Sequence, residues 1–318
     1  MGGARQMLIL DVDTGTDDAV ALMLAALHPG LELVAATTVN GNNPVDACTD
    51  NTLRVFDLLG VSIPVHEGAA TPLVRDDFPI PREVLHSRGS MHPRELPIPA
   101  PRSTKQAQRG VEFLVETYMA ATDPIALVPV GPLTNIAMAI KAEPRIVERI
   151  PQTIIMGGAH ESGNTTPSAE FNIWVDPEAA RVVFGAGLQN VTLVPLDATH
   201  QALVSLDDCR RLRELGTPAG DASAAFIEGR IQAYDALQPM ETASSAPVHD
   251  ALCIAYLVDP TVVSGRRVHV DIETRGELTV GRTVMDTHGR FGQEPNAFVA
   301  FGADAPKFVS MLLETFAR

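Results

Sequence analysis

Short apolar runs rich in Val, Ile and Leu recur along the chain: MLILDV at residues 7–12, LELVAATTV at 31–39, IALVPVG at 125–131, TIIMGG at 153–158 and VTLVPLD at 191–197. Short continuous apolar runs predict strands buried on both faces. Apolar positions between them recur at helical spacing, so β and α elements alternate. That alternation predicts an α/β fold, Rossmann-like, with a mixed, mostly parallel central sheet flanked by helices. Three runs end in polar or glycine-rich turns, DTGTDD, NGNN and GGAHESGN. Ligands of open α/β sheets bind outside the carboxyl ends of the strands, so the chemistry is expected on one rim.

Two stretches lack a sustained period. Residues 72–104, PLVRDDFPIPREVLHSRGSMHPRELPIPAPRST, are dense in proline and charge and read as a long surface loop of the kind that serves as a lid. Residues 216–247, which include RIQAYDALQPMETASSAP, read as a weakly patterned second lid. No repeat or linker divides the chain, and a single domain over 1–318 is expected.

With 45% hydrophobic and 20% charged residues the chain is expected to pack as a globule. Its formal net charge of −15 disfavours nucleic acid and anionic membrane as partners and leaves a small neutral molecule open. Cys48, Cys209 and Cys253 are far apart and form no C-x-x-C pair, which suits packing in a reducing compartment. MGGARQMLIL lacks a secretory pattern and no long uncharged apolar run follows, so a cytoplasmic location is expected.

The opening LILDVDTGTDDAVALMLAAL, residues 8–27, crowds Asp11, Asp13, Asp17 and Asp18 where a strand hands over to a helix. Like charges so close raise one another's pKa unless a cation sits among them. The plainer reading makes Thr16 an N-cap with Asp17 and Asp18 in the first helical turn. Carboxylates without cysteine or clustered histidine favour a hard cation, Ca2+ or Mg2+, over zinc, with Ca2+ the better match. An EF-hand does not account for the run, because Gly15, Thr16 and Leu22 fall where its oxygen ligand, its glycine and its bidentate glutamate belong. Four other stretches stand out: Asn40, Asn42 and Asn43 after a strand; GPLTNIAMAI at 131–140, a tight turn into a helix; Asn164, Glu170 and Asn172, suited to vicinal hydroxyls; and His249 with Asp250 opening an apolar helix.

In order and spacing, DVDTGTDDA, TTVNGN, VPVGPLTNIA, MGGAHESGNTTPSAEFNIWVDPEAARVVF and PVHDA resemble the motifs of the inosine-uridine preferring nucleoside hydrolases, over residues 8 to about 260. The resemblance implies the nucleoside hydrolase fold and hydrolysis of the N-glycosidic bond of ribonucleosides to ribose and free base. It implies a Ca2+ held by Asp13, bidentate Asp18, Asp250 and the carbonyl of Val130, an ion that also binds the ribose 2′ and 3′ hydroxyls and one water. By the same resemblance Asp13 is the general base toward that water. Asp17 and Asn172 match ribose hydroxyl partners, and Asn42, Asn164 and Glu170 match other groups around the sugar; Met156 packs either near the ribose or simply in the core. A homodimer or homotetramer is implied as well. The chemistry is coherent: a bound cation makes water a usable nucleophile, and carboxylates and amide oxygens stabilise an oxocarbenium-like ribose. The leaving base needs a proton, and His249 is the expected general acid.

The match departs from the family pattern in both lids. LHSRGSMHP stands where the family has His-Gly and an acidic, glycine-rich stretch: His86 matches the histidine that touches the base, whereas Ser87, Arg88 and His92 differ, with Arg88 a candidate donor to a base carbonyl. Counting back from His249 puts Ala233, Leu237 and Glu241 at positions that contact the base in pyrimidine-preferring relatives, with Tyr234 and Gln232 as nearby candidates. The base is therefore not specified by these residues. Two rivals are weaker. DVDTG lacks the threonine of the haloacid-dehalogenase D-x-D-x-T motif, and a non-catalytic nucleoside or pentose binder has no need of Asp13 and His249 together.

Overall fold

The computed structural model describes residues 5–76, 78 and 91–318. Among these the strands are β1 (Gln6–Val12), β2 (Leu31–Thr38), β3 (Val65–Glu67), β4 (Ile125–Pro129), β5 (Thr153–Met156), β6 (Val191–Val194), β7 (Leu203–Ser205), β8 (Ser245–Pro247), β9 (Val263–Ile272), β10 (Thr283–Asp286) and β11 (Ala297–Ala303). Nine form one sheet in the order β10-β9-β11-β6-β5-β4-β1-β2-β3, and β7 pairs with β8 in a small antiparallel ribbon. Pairing is parallel from β3 through β6 to β11, and β9 runs antiparallel to both β11 and β10. All five apolar runs are strands of this mixed, mostly parallel sheet.

The central strands are covered on both faces, which explains why β1, β4, β5 and β6 show no polar alternation. In β1, Leu8 and Leu10 pack with the helices Thr16–Leu27 and His249–Val258, while Ile9 packs with Thr134–Ala142 and Pro177–Gly185 on the other side. Successive strand residues point to opposite faces, so each face has its own apolar core. β1 is also where strand order reverses: from it the chain moves outward to β2 and β3, then returns to β4 on the opposite side. The carboxyl ends of β1, β2, β4 and β5 open onto that switch point.

Two local expectations are corrected. Gly15, not Thr16, is the N-cap of Thr16–Leu27, and the Thr16 hydroxyl instead accepts a hydrogen bond from Arg230 (3.1 Å). Residues 216–247 are not weakly structured, because Pro218–Leu237 is a 20-residue helix. It starts on ordinary signals: the Thr217 hydroxyl accepts the Gly220 N–H (3.1 Å) and proline holds the first turn. Buried alanines and Gly220 give it small contacts on several sides, so no single apolar stripe marks it in the sequence.

The 72–104 stretch has no helix or strand among its described residues, but it is anchored. Leu96 is buried in the core, and Asn51 bonds the Leu96 N–H and the Arg94 carbonyl. All three cysteines are buried. Among the described residues no helix is long and apolar enough to cross a membrane.

Candidate active site

The four opening carboxylates divide by environment. Asp11 is buried within β1, where it accepts hydrogen bonds from the Thr37 hydroxyl and from Asn135 Nδ2 (2.7 Å), and burial pushes its pKa up to about 7. Asn135 also donates to the Thr38 carbonyl and accepts the Ala69 N–H. Asp11 thus ties β1 to β2 and to the helix Thr134–Ala142, a structural task beneath the site.

Asp13, Asp18 and Asp250 are buried at the rim itself. Asp13 Oδ2 accepts the Asn42 N–H (2.6 Å), while Oδ1 is buried with no hydrogen-bond partner among the described residues. The approach of this loop requires Gly41, since a Cβ there would overlap Asp13 Oδ2. Asp18 accepts the Asp13 N–H (3.1 Å) on one oxygen and the Gly15 N–H (2.9 Å) and Asn42 Nδ2 (3.3 Å) on the other. Burial raises all three pKa values. For Asp18, pushed up to about 6, Asp17 adds to it; for Asp13 and Asp250, held well above the usual range, the neighbouring aspartates do.

One oxygen each of Asp17, Asp18 and Asp250 lies within 4.8 Å of the others. A buried, like-charged oxygen set of this kind fits a hard divalent cation, which would remove both the desolvation penalty and the mutual repulsion. Asp13 lies outside that trio but couples to it electrically, and the orphaned Oδ1 gives it an oxygen to offer. The Val130 carbonyl, the fourth expected ligand, accepts a hydrogen bond from Asn172 Nδ2 (2.7 Å).

Above the carboxylates is a cavity of about 340 Å³. Asp17, Asn42, Val130, Met156, Asn164, Glu170, Asn172 and Asp250 line its floor and one wall; Met91, His92, Phe171, Arg230, Tyr234, Leu237, Gln238 and His249 also line it. Every expected sugar-side residue therefore borders one space. A larger groove of about 880 Å³ lies at the opposite, amino ends of the strands beside Gln6, Asp123 and Thr192, away from the acidic cluster. The rule for parallel sheets and the placement of the chemistry both favour the smaller cavity.

The sugar-side wall is rigid. Glu170 caps the short helix Phe171–Val175, accepting the Asn172 and Ile173 N–H groups, and also accepts the Gly158 N–H (2.9 Å). Burial nevertheless raises its pKa to about 7. Asn164 Oδ1 accepts the Phe171 N–H (3.0 Å), so the loop and helix that carry Asn164, Glu170 and Asn172 brace each other.

His249 opens its helix with both ring nitrogens engaged, Nε2 with the Tyr234 hydroxyl and Nδ1 with the Thr199 hydroxyl, each at 2.7 Å. Burial first, then the nearby Arg230 cation, hold its pKa well below the usual value, so the imidazole is neutral.

Tyr234 is thus at the site, whereas Gln232, exposed on the same helix, is not. His86 and Arg88 lie outside the described residues. Sequence reasoning missed Arg230 and Thr199 and noted His92 only as a departure. His92 Nδ1 accepts the Thr16 N–H (3.2 Å) and sits 3.7 Å from Asp17, in a place that a Cβ at residue 15 would occupy. The one available signal was the spacing of Arg230 and Tyr234, four residues apart and hence on one helical face.

A cation-fitting acidic cluster at the switch point of a parallel sheet, beneath a cavity rich in hydroxyl-binding groups, defines an α/β enzyme for a polyhydroxylated small molecule. The family model for inosine-uridine preferring nucleoside hydrolases matches residues 8–310. The chain is 40% identical over 314 residues to the inosine-uridine preferring nucleoside hydrolase of Leishmania major, covering 98% of this chain and 97% of that one. It is also 40% identical over 311 residues to the pyrimidine-specific ribonucleoside hydrolase RihA of Shewanella sp. (strain ANA-3), covering 98% and 96%. The solved purine-preferring ribonucleoside hydrolase from Gardnerella vaginalis superposes with a TM-score of 0.88 at 31% identity, covering 98% of each chain. This chain belongs to the inosine-uridine preferring nucleoside hydrolase family, and its reaction is the hydrolysis of ribonucleosides.

Proposed function

We propose that this nucleoside hydrolase is calcium-dependent, with Asp13, Asp18, Asp250 and the Val130 carbonyl holding Ca2+ and with Asp13 and His249 moving the protons of the reaction. The observation that carries this reading is the buried acidic cluster under a cavity bordered by Asn42, Asn164, Glu170 and Asn172. Bound Ca2+ would supply a lowered pKa for water and a seat for the ribose 2′ and 3′ hydroxyls.

The residues account for the rest. Asp13, with Oδ2 fixed by Asn42 and Oδ1 unpartnered, accepts the proton of the attacking water. Asp17 and Asn172 hold ribose hydroxyls, and Asn42, Asn164 and Glu170 orient the sugar from the braced wall, with Met156 packed beside it. Their oxygens face positive charge as the glycosidic bond stretches. On the base side His249, neutral in the free protein, is the proposed general acid: as imidazolium in the substrate complex it gives its Nε2 proton to Tyr234, whose hydroxyl donates to the departing base, and it ends as neutral imidazole. Thr199 supports this by holding the ring in place through its contact with Nδ1. His86 and Arg88 are proposed as further base contacts.

The test is release of reducing sugar from inosine, uridine, cytidine, adenosine and guanosine, before and after chelation and again after Ca2+ return. Loss on chelation and recovery with Ca2+ is the expected result, and the same plate ranks the bases. Sugar release that survives complete chelation would overturn the metal reading. Binding of nucleoside without release would favour the binding protein. The homodimer or homotetramer and the cytoplasmic location rest on the resemblance and on sequence features alone; light scattering on the purified protein tests the first.

A further inference from the structure

Arg230 is the most deeply buried cation at the site, with 1% of its surface exposed. A buried guanidinium is expensive unless its charge and its donors are met. Here the partners come from three segments. Nη1 lies 2.9 Å from Asp17 Oδ1 and donates to the Thr16 hydroxyl (3.1 Å), and Nε donates to the Pro247 carbonyl (3.0 Å), two residues before His249. The guanidinium carbon also stands 5.7 Å from the centre of the Tyr234 ring. The Asp17 contact is an ion pair without the angles of a directed hydrogen bond, so charge holds it.

That placement bears on an ambiguity in the acidic cluster. By distance alone Asp17 is as good a metal ligand as Asp18 or Asp250, since one oxygen of each falls within the same 4.8 Å. Asp18 takes its N–H donors from the loop that carries it and from Asn42, whereas Asp17 alone of the three makes an ion pair with a buried guanidinium.

We propose that Arg230 is a positioning residue that assigns Asp17 to the sugar: by engaging one Asp17 oxygen, the guanidinium keeps that carboxylate out of the ion's ligand set. The proposal rests on the reading of Asp17 as a ribose hydroxyl partner. Without Arg230, Asp17 turns toward the ion, which gains a ligand and loses a nearby positive charge, while the ribose loses a partner.

The test uses the full chain with Arg230→Met, Arg230→Lys, Asp17→Asn and the double variant. Two quantities are read: Ca2+ affinity of chelator-stripped protein by calorimetry, and KM and kcat for a ribonucleoside against its 2′-deoxy counterpart. Arg230→Met is expected to bind Ca2+ about tenfold to a hundredfold more tightly, the scale of one unit charge a few ångströms from the ion. Its KM for the ribonucleoside rises more than its kcat falls, and the preference over the 2′-deoxy substrate narrows. Arg230→Lys keeps the charge and restores most of the Ca2+ affinity of the wild type.

In the Asp17→Asn background, removing Arg230 is expected to leave KM and the 2′-hydroxyl preference where Asp17→Asn put them. Unchanged or weaker Ca2+ affinity in Arg230→Met overturns the proposal, as does a further KM change in the double variant. If Arg230→Met does not fold, the Lys variant decides: a KM and sugar preference that fall wholly to Asp17→Asn levels while Ca2+ affinity drops would overturn it. An Asp17→Asn variant with full 2′-hydroxyl preference would instead defeat the underlying reading of Asp17, independently of Arg230.

Discussion

The floor of the cavity and its opposite side are built differently. The floor comes from loops at the ends of adjacent parallel strands, where Asp13, Asp18, Val130 and Glu170 are fixed by backbone N–H groups or by asparagine side chains. The opposite side comes from one long helix and from Met91 and His92, and it is held by Arg230, by the Tyr234–His249 contact and by His92 against Thr16. Strand ends are rigid and mutually placed by sheet register. A helix packed over them from a distant part of the chain can change its contacts without disturbing the sheet. In the proposed mechanism the common step, breaking a ribosyl bond, falls on the floor, and discrimination among bases falls above it.

Substitutions sharpen this contrast in order of effect. Asp13→Asn is expected to lower kcat by about 10²–10⁴, the range of a lost general base, for every nucleoside alike; a loss confined to one base would place Asp13 on the wrong side of the comparison. Gly41→Ala pushes a Cβ into Asp13 Oδ2, and displacing that carboxylate is expected to cost about 10² in kcat/KM. Wild-type kinetics in Gly41→Ala would mean the floor is softer than described. Tyr234→Phe leaves the sugar contacts intact and removes one hydroxyl, so a fall of about tenfold in kcat, with base-dependent size, is expected. A uniform change in KM instead would mark Tyr234 as packing only. Smallest is Leu237→Ala, at a partly exposed edge of the cavity, with an expected change of about twofold in KM.

The floor also has a pH signature. Folded carboxyl groups at about 7 for Asp11 and Glu170 and about 6 for Asp18 lie above their ordinary 3.8 and 4.5. Metal-free folded protein thus binds more protons than the unfolded chain in the interval between. Their contribution is fully present below the ordinary values and is lost as pH rises through the raised ones. Melting of stripped protein from pH 4.5 to 7.5 should show Glu170→Gln gaining on the wild type as pH rises, and Ca2+ should stabilise the wild type most at the upper end. A Glu170→Gln variant that loses ground to the wild type as pH rises would contradict the assigned burial.

How much was legible in the sequence follows the same division. Strands β1, β2, β4, β5 and β6 are continuous apolar runs, and the motif residues at their ends stand within a few positions of a strand. Asp13, Asn42 and Val130 could be located from local text for that reason, whereas Glu170 and Asn172 lie well past β5 in the short helix Phe171–Val175 and its cap, and were marked by their motif alone. β9 was less visible because its exposed half carries Ser264, Gly265, Arg266 and Arg267, and only its later residues alternate. The helix Pro218–Leu237 hid behind small residues, and with it Arg230, whose partners Thr16 and Asp17 are more than two hundred residues away. Motif spacing carries no information about such a pair. His249 was found, but its protonation depends on burial and on Arg230, which only the packed structure reveals.

The most direct measurement is calorimetric titration of Ca2+ into stripped wild type and Asp250→Asn, with sugar release recorded on the same samples. One ion per chain is expected in the wild type, with hydrolysis that returns in step with its binding and joint loss of both in Asp250→Asn. Hydrolysis at full rate without bound ion, or Ca2+ binding unaffected by Asp250→Asn, would contradict it.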